Sequence, residues 1–395
     1  MPDLNTPGAA RPRFAPPRLW RWTAVLGTGA LIAAIPPPAG ISTDSWHLLA
    51  IFVATVLGLT LQPLPGGAMV LLGVSASTLL GIQPVAKALS GYADPIVWLV
   101  LAAFFMSRGM IKTGLGRRIA FLLIRAIGKR SLGLGYSLAF SEFILAGFIP
   151  SNAARAGGII FPIARSLATA YDSEPGPTAG RLGAFLMVFI YQCCVINCAI
   201  FLTGQASNAL IASFAFKATG IELDYGRWFA GGIVPGLVSL AVAGLLVYRL
   251  TPPEVTHTPR AVEIARQELQ HMGPMSWPEK RMLFVFALVA ALWMSSALHD
   301  IHYAVVALLG SCVLLVSGVI SWEDVKSERE AWDVFIWYGG LVQLAGALAE
   351  TGLMERFAQT VAGLPQGWPW GAALFVLLLI YFYAHYGFAS ITAHV

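Results

Sequence analysis

The chain has 395 residues, of which 57% are hydrophobic and 11% are charged, and its mean hydropathy is +0.71. Soluble domains carry about 25% charged residues, so this composition excludes an ordinary soluble globular protein. The net charge of +5 does not indicate a nucleic-acid partner. The composition predicts an all-α polytopic membrane protein whose main surroundings are the lipid bilayer.

Apolar stretches of helical length recur along the chain, and a helix needs about 20 such residues to cross a bilayer. The arginines before the first stretch indicate a retained first helix with a cytoplasmic N-terminus rather than a cleaved signal peptide. In that orientation most of the 25 Lys and Arg residues fall on the cytoplasmic side, as the positive-inside rule requires. The predicted spans are residues 20–36, 45–61, 65–82, 94–110, 183–202, 228–248, 282–298, 303–320 and 332–349.

Residues 132–171 depart from this pattern, because a Pro-Ser-Asn turn at 150–152 separates two apolar arms. Two full crossings and a re-entrant hairpin entering from the cytoplasm both preserve the downstream orientation. The polar tip with Arg155 favours the hairpin, since non-helical backbone at membrane depth must be buried in protein or line a wet cavity. Glu142 in the first arm needs a partner in either case, and a structural ion pair with Arg155 is one possibility.

Two segments of the chain resemble each other. One begins "DPIVWLVL" at Asp94 and the other begins "DVFIWYGG" at Asp333. Downstream, "TGLGRRIA" at 113–120 matches "TGLMERFA" at 351–358. Both aspartates are predicted to cap the start of a span. Five predicted crossings separate the copies, and an odd number inverts the second copy, as in secondary transporters built from inverted repeats.

Three polar breaks interrupt the apolar segments. The motif "SNAAR" at 151–155 aligns with "SITAH" at 390–394, at the same offset as the two aspartates. A third break, "TGQASN" at 203–208, lies in a stretch too long for one span. Broken helices expose backbone N–H and C=O groups that bind carboxylates and ions, so the breaks are candidate binding elements.

The two aligned motifs resemble a known family. The stretch "PSNAARAGGIIFPI" resembles the first hairpin signature of the divalent anion/sodium symporter superfamily, whose usual form is Ser-Asn-Thr, and "HYGFASITAHV" is similar to the second signature. The arginine after the first motif and the "TAH" of the second resemble the branch of bacterial citrate/succinate and tartrate/succinate antiporters and plastid 2-oxoglutarate/malate translocators. The resemblance covers about residues 45–395.

The resemblance implies an inverted-repeat fold with two re-entrant hairpins, in a bacterial cytoplasmic (inner) membrane. A scaffold that forms a homodimer would hold a transport domain that moves as an elevator. The chain stops just past the second motif, where the family continues, and this suggests a fragment or a truncated gene product. The expected division has four segments. Residues 1–111 form the N-terminal scaffold helices, and residues 112–250 form the first half of the transport domain, with the hairpin at 132–171. Residues 251–349 form the cytoplasmic loop and the second set of scaffold helices, and residues 350–395 begin the second half of the transport domain, with the outer hairpin.

The resemblance also implies a substrate site between the two hairpin tips. Arg155 and His394 would compensate substrate charge in place of the sodium ions of other members. Ala153 replaces the usual threonine of the first motif, which removes a hydroxyl there. The candidate substrate-binding residues, including the third break, are Ser151, Asn152, Thr203, Ser207, Asn208, Ser390 and Thr392.

The predicted function is secondary active transport of dicarboxylates of the malate, succinate or 2-oxoglutarate type, or of tricarboxylates, by anion exchange. A sodium-coupled dicarboxylate symporter is the main alternative, and no cofactor other than that sodium is expected. An intramembrane enzyme using Ser390 with His385 or His394 is disfavoured, because no buried aspartate is available to orient the histidine. A channel is disfavoured because paired broken helices favour alternating access.

Overall fold

The computed structural model describes residues 19–299, 301–353, 356 and 368–384, except the side chains of residues 217, 218, 297 and 384. The described chain consists of helices joined by short turns. The helices are α1 (Leu19–Ala34), α2 (Thr43–Leu61), α3 (Gly66–Leu79), α4 (Val85–Ala88), α5 (Pro95–Thr113), α6 (Leu115–Ile127), α7 (Ser131–Ala146), a π-helix (Ala153–Ile160), α8 (Phe161–Ala170), α9 (Gly183–Ile200), α10 (Ala206–Thr219), α11 (Tyr225–Leu250), α12 (Pro259–Met272), α13 (Trp277–Met294), α14 (Tyr303–Val316), α15 (Trp322–Ser327), α16 (Arg329–Glu350) and α17 (Trp370–Ala384), with short 3-10 turns at Ser90–Ala93, Ala179–Arg181 and Ser296–Leu298.

Several helices have the length and composition of membrane spans. In the described part of the chain, α2, α5, α9 and α11 are both long and apolar enough to cross a bilayer, and α3, α7, α10, α14 and α17 include shorter apolar stretches. Each of the nine predicted spans overlaps one of the helices above. The prediction of an all-α polytopic membrane protein is therefore confirmed.

Helix boundaries depart from the prediction where capping residues set them. The span predicted at 282–298 begins earlier, at Trp277, because Ser276 and Glu279 form a capping box before it. Asp94 caps α5 as predicted, accepting a hydrogen bond from the backbone N–H of Ile96 at 2.9 Å. The same prediction for Asp333 is wrong, because α16 begins four residues before it.

The described residues divide into two units by their contacts, one up to Tyr92 and from Ile336 onward, and one from Ala93 to Phe335. In the first unit α2, α3 and α4 pack against the second part of α16 around Val70, Leu344 and Leu348. The expected four-segment division into scaffold and transport halves stays a prediction.

The second unit contains the helices that carry the first motif. Helix α5 is its most buried long span and packs against α14, α13 and α10. Helix α9 packs against α7, α8 and α11. The hydroxyl of Tyr136 donates to the carbonyl of Ala241 at 2.7 Å, and its ring lies so close to Gly244 that a β-carbon there would clash. The break between α7 and α8 is thus supported by helices on several sides.

Candidate functional site

The first motif forms a helix break, as predicted. Helix α7 ends at Ala146, residues 147–151 are non-helical or turn, and the chain then enters the π-helix before α8. Ser151 ends the break, and its hydroxyl accepts a hydrogen bond from the backbone N–H of Ala154 at 3.1 Å. Short π-helical segments occur frequently at functional sites, because they expose backbone groups that an α-helix would pair.

Arg155 is fully buried directly after this break, and its charge is balanced inside the protein. Its Nε atom donates to Oε1 of Glu142 at 2.7 Å, with 0% and 1% of the two side chains exposed. Its Nη2 atom donates to the side-chain oxygen of Asn152 at 2.8 Å, and its Nη1 atom donates to the carbonyl oxygens of Ile149 and Gly204. Arg155 therefore ties the break to α7 and to the polar break after α9.

Glu142 has a second partner that the sequence did not suggest. The amide nitrogen of Asn197, on α9, donates to Oε2 of Glu142 and, at 3.2 Å, to the carbonyl of Ala139. Both carboxylate oxygens of Glu142 are thus hydrogen-bonded. A buried ion pair is tolerated when its remaining hydrogen-bonding capacity is satisfied in this way.

The predicted break after α9 is also confirmed, since α9 ends at Ile200 and α10 begins at Ala206. The hydroxyl of Thr203 donates to the carbonyl of Gly147 at 2.7 Å, which joins the two breaks. The amide of Asn208 donates to the carbonyls of Cys198 and Phe201 at 2.6 and 2.8 Å. These bonds satisfy carbonyls that the end of α9 leaves without helical partners.

Among the described residues, two buried polar atoms beside the breaks have no hydrogen-bond partner. They are the hydroxyl oxygen of Ser207 and the side-chain oxygen of Asn197. Ser207 lies in the first turn of α10, where the helix dipole favours an anion. Buried polar groups normally have partners, so this free hydroxyl is available to a ligand or a water molecule.

Ser151 makes one further contact that sequence reasoning missed. Its hydroxyl donates to Oε1 of Glu330, in the first turn of α16, at 2.7 Å. Acidic residues are common in the first turn of helices, so the sequence pattern around Glu330 gave no signal of this role.

The structure brings five of the predicted site residues into one region of the second unit, held together by the bonds described above. They are Ser151, Asn152, Thr203, Ser207 and Asn208. Arg155, the predicted charge-compensating residue, lies among them. The residues predicted from the second motif, Ser390, Thr392 and His394, lie outside the described residues. Within the described ranges, no group of three His, Cys, Asp or Glu side chains could hold a metal ion.

A second charged cluster lies where α5 ends and α15 begins. Lys112 donates to Oδ2 of Asp324 at 2.5 Å, and Arg108 lies 3.7 Å from Asp324 and 3.9 Å from Glu328. The hydrogen bond from Lys112, followed by the backbone N–H of Ser321, holds the pKa of Asp324 well below its usual value. Burial raises the pKa of Glu328, although Arg108 opposes this.

Buried breaks in apolar helices of spanning length are typical of membrane transport proteins. Comparisons with known proteins agree. The profile of the family described as "Sodium:sulfate symporter transmembrane region" matches residues 17–395. The chain belongs to this family, and it is a multi-pass membrane transporter rather than an enzyme.

Named relatives narrow the comparison. The chain is 44% identical to dicarboxylate transporter 1 of Arabidopsis thaliana chloroplasts, over 94% of this chain and 67% of that protein. It is 44% identical to the putative malate transporter YflS of Bacillus subtilis, over 89% of this chain and 74% of that protein. It is 36% identical to an L-tartrate/succinate antiporter of Escherichia coli, over 95% of this chain and 81% of that protein. The chain thus spans about two thirds of the length of the plant relative.

Proposed function

We propose that this protein carries dicarboxylates of the malate, succinate or 2-oxoglutarate type, or tricarboxylates, across a bacterial inner membrane as a secondary active transporter. One observation carries the proposal. The buried breaks at 147–151 and 201–205 lie within the region that is 44% identical to relatives named for dicarboxylate and malate transport. Hydroxyl and amide donors, such as those of these breaks, suit carboxylate oxygens.

The proposed site has two halves that follow the inverted repeat. The half built by the two breaks offers the Ser207 hydroxyl, which has no partner among the described residues, in the first turn of α10, where the helix dipole favours an anion. Ser390 and Thr392 are proposed to complete the site from the second motif. Two re-entrant hairpins, a homodimeric scaffold, a cytoplasmic N-terminus and elevator movement are part of the same proposal, by likeness to the family.

Exchange is the proposed mode of transport. A dianion needs positive charge to cross a region of low dielectric constant, and Arg155 and His394 are proposed to supply it. The guanidinium of an arginine is a charge covalently attached to the chain, so it cannot leave the site as a sodium ion can. A carrier with a permanent excess of positive charge would return slowly when empty and quickly when loaded, which is the behaviour of an exchanger.

One observation favours sodium-coupled symport as the second candidate. Glu142 pairs with Arg155, so this arginine does not by itself leave the described part of the empty site with a net positive charge. If Glu142 remains ionised in every state, bound sodium or His394 must supply the charge that the substrate needs. The two modes differ in whether uptake depends on sodium or on internal substrate.

The test is uptake of labelled succinate into proteoliposomes preloaded with succinate, malate, 2-oxoglutarate, citrate or buffer, each with and without sodium. We expect uptake only into loaded vesicles and no effect of sodium. Uptake into empty vesicles that requires a sodium gradient would overturn the exchange mode. Absence of uptake of every carboxylate under all conditions would overturn the proposed substrate class.

A matched pair of variants connects the transport assay to the site. Ser151→Ala removes a hydroxyl at the break, whereas Ser141→Ala removes a buried hydroxyl that donates to the carbonyl of Ser137, in its own helix α7. We expect S151A to lower the transport rate at least tenfold and S141A to leave it within about twofold. Equal effects of the two variants would contradict the assignment of Ser151 to the substrate site.

A further inference from the structure

The hydroxyl of Ser151 donates its hydrogen bond to a carboxylate of the same chain. The hydroxyl donates to Oε1 of Glu330 at 2.7 Å while it accepts from the backbone N–H of Ala154 at 3.1 Å. A serine hydroxyl has a single proton to donate. While that proton points to Glu330, Ser151 cannot donate to the carboxylate of a substrate.

Neighbouring contacts hold the segment that carries Glu330, although the residue itself is exposed. The ring of Trp332 packs against Phe105 of α5 at 5.8 Å, and its indole N–H donates to the carbonyl of Val325 at 2.9 Å. Asp324, just upstream, forms ion pairs with the end of α5. Glu330 therefore reaches Ser151 from an anchored segment rather than from a freely moving loop.

Glu330 and a bound substrate carboxylate cannot use Ser151 together. They would compete for one proton, and their negative charges would repel each other at such short distance. The simpler structural role of Glu330 is to stabilise the N-terminus of α16, where a negative charge is favourable. That role predicts an effect on stability but none on substrate affinity.

We propose that Glu330 is an internal competitor for the substrate site: its carboxylate holds the Ser151 hydroxyl when the site is empty, and an anionic substrate must displace it to bind. This inference rests on the proposed function, because it assigns a regulatory contact to the same site. The contact makes the apparent affinity weaker than the intrinsic one by the fraction of molecules in which Ser151 is free. The ligand that displaces Glu330 is a carboxylate or a comparable oxyanion.

The experiment measures substrate affinity and transport for Glu330→Ala and Glu330→Gln in the purified protein. Binding of succinate, citrate and sulfate is measured by thermal shift in detergent, and succinate transport in proteoliposomes gives KM and the maximal rate. Because a hydrogen bond to a charged group is lost, we expect E330A to lower Kd and KM about three- to tenfold, with the maximal rate within about twofold. E330Q keeps an acceptor but loses the charge, so we expect an intermediate shift.

Two controls separate competition from a structural effect. Glu323 lies in the first turn of α15, and 75% of its side chain is exposed. Glu323→Ala should therefore leave Kd unchanged. In a Ser151→Ala background, E330A should have no further effect on Kd, because its target hydroxyl is absent. An unchanged Kd in E330A, or the same shift with and without Ser151, would overturn the proposal.

The outcomes also distinguish this inference from the proposed function. If wild-type protein binds and transports a carboxylate but E330A binds it with the same affinity, only the role of Glu330 is overturned. If neither wild type nor E330A binds succinate, citrate or sulfate, the proposed substrate class is overturned and the internal competitor with it.

Discussion

Two ion pairs in residues 93–335 use the same chemistry in opposite surroundings. In the Glu142–Arg155 pair at the helix break, 1% and 0% of the side chains are exposed, whereas in the Lys112–Asp324 pair at the end of α5, 42% and 13% are exposed. Removing two charges from water costs several kcal/mol per ion, and the buried pair offsets this cost only through its extra hydrogen bonds. The exposed pair has little desolvation cost and correspondingly little net effect on stability.

The comparison teaches where this chain concentrates its polar interactions. Around Arg155, every contact joins elements that are broken or that flank a break, whereas Lys112 and Asp324 fasten a surface connection. Hydrogen bonds within a buried polar network restrict the backbone to one arrangement, although here the side-chain oxygen of Asn197 has no partner among the described residues. We interpret the buried network as the element that keeps the two breaks next to each other.

The largest expected effect comes from breaking the buried pair. Glu142→Gln leaves the charge of Arg155 buried without an ionic partner, and such a loss costs about 3–5 kcal/mol. Thermal unfolding of the purified protein in detergent measures it. The double variant Glu142→Gln with Arg155→Met removes both charges and should recover part of the loss. A double variant less stable than E142Q alone would contradict this account of the pair.

A third ion pair, between Arg118 and Glu279, is intermediate in exposure between the two pairs compared above and tests whether burial sets the energy of a pair. Its side chains are 8% and 4% exposed, and Arg118 also donates to the carbonyl of Gly273 at 2.9 Å. Arg118→Ala should lower stability by about 2–3 kcal/mol, in the range of hydrogen bonds to charged groups. Arg117→Ala is the matched control, because that neighbouring side chain is 57% exposed, and its effect should stay below about 1 kcal/mol. Equal losses in the two variants would show that burial does not set the energy here.

Neutral hydrogen bonds in the same buried region should matter less than the charged pair. Asn208→Ala removes the side-chain donor to the carbonyls of Cys198 and Phe201, although Phe201 keeps the backbone N–H of Gly204 at 2.8 Å, so we expect a cost of about 1–2 kcal/mol. Thermal unfolding measures this variant beside E142Q. A loss as large as that of E142Q would mean that backbone satisfaction, rather than charge, dominates the network.

The smallest effect is expected at the exposed cluster. Asp324→Asn should change stability at neutral pH by less than about 1 kcal/mol, and high salt should reduce the effect. Because the pKa of Asp324 is lowered in the folded state, the unfolded chain binds more protons at acidic pH. The stabilisation is therefore complete above the unfolded pKa of about 3.9 and is lost as pH falls through the folded pKa.

Unfolding midpoints of the wild type and D324N between pH 3 and pH 7 measure this dependence. The difference between the two proteins should shrink towards the acidic end of the range. A constant difference across the whole range would indicate that Asp324 acts through its capping bonds to Ser321 rather than through its charge.

The sequence alone predicted the membrane class, the approximate spans, and both helix breaks in the described region. These features are local: apolar length, polar interruptions and turn residues are read over a few tens of positions at most. Boundaries set by a few capping residues were predicted less well, as at Trp277 and Asp333. The repeat pointed to the tip residues, because two copies of one motif carry information that one copy lacks.

Only the tertiary structure decided which side chains meet at the breaks. Arg155 had been given two alternatives, and the fold pairs it with Glu142, 13 positions away. The partners of Glu142 and Ser151, Asn197 and Glu330, lie 55 and 179 positions away from them. Neither the local patterns nor the repeat relates these particular residues, because their meeting depends on how separate helices pack.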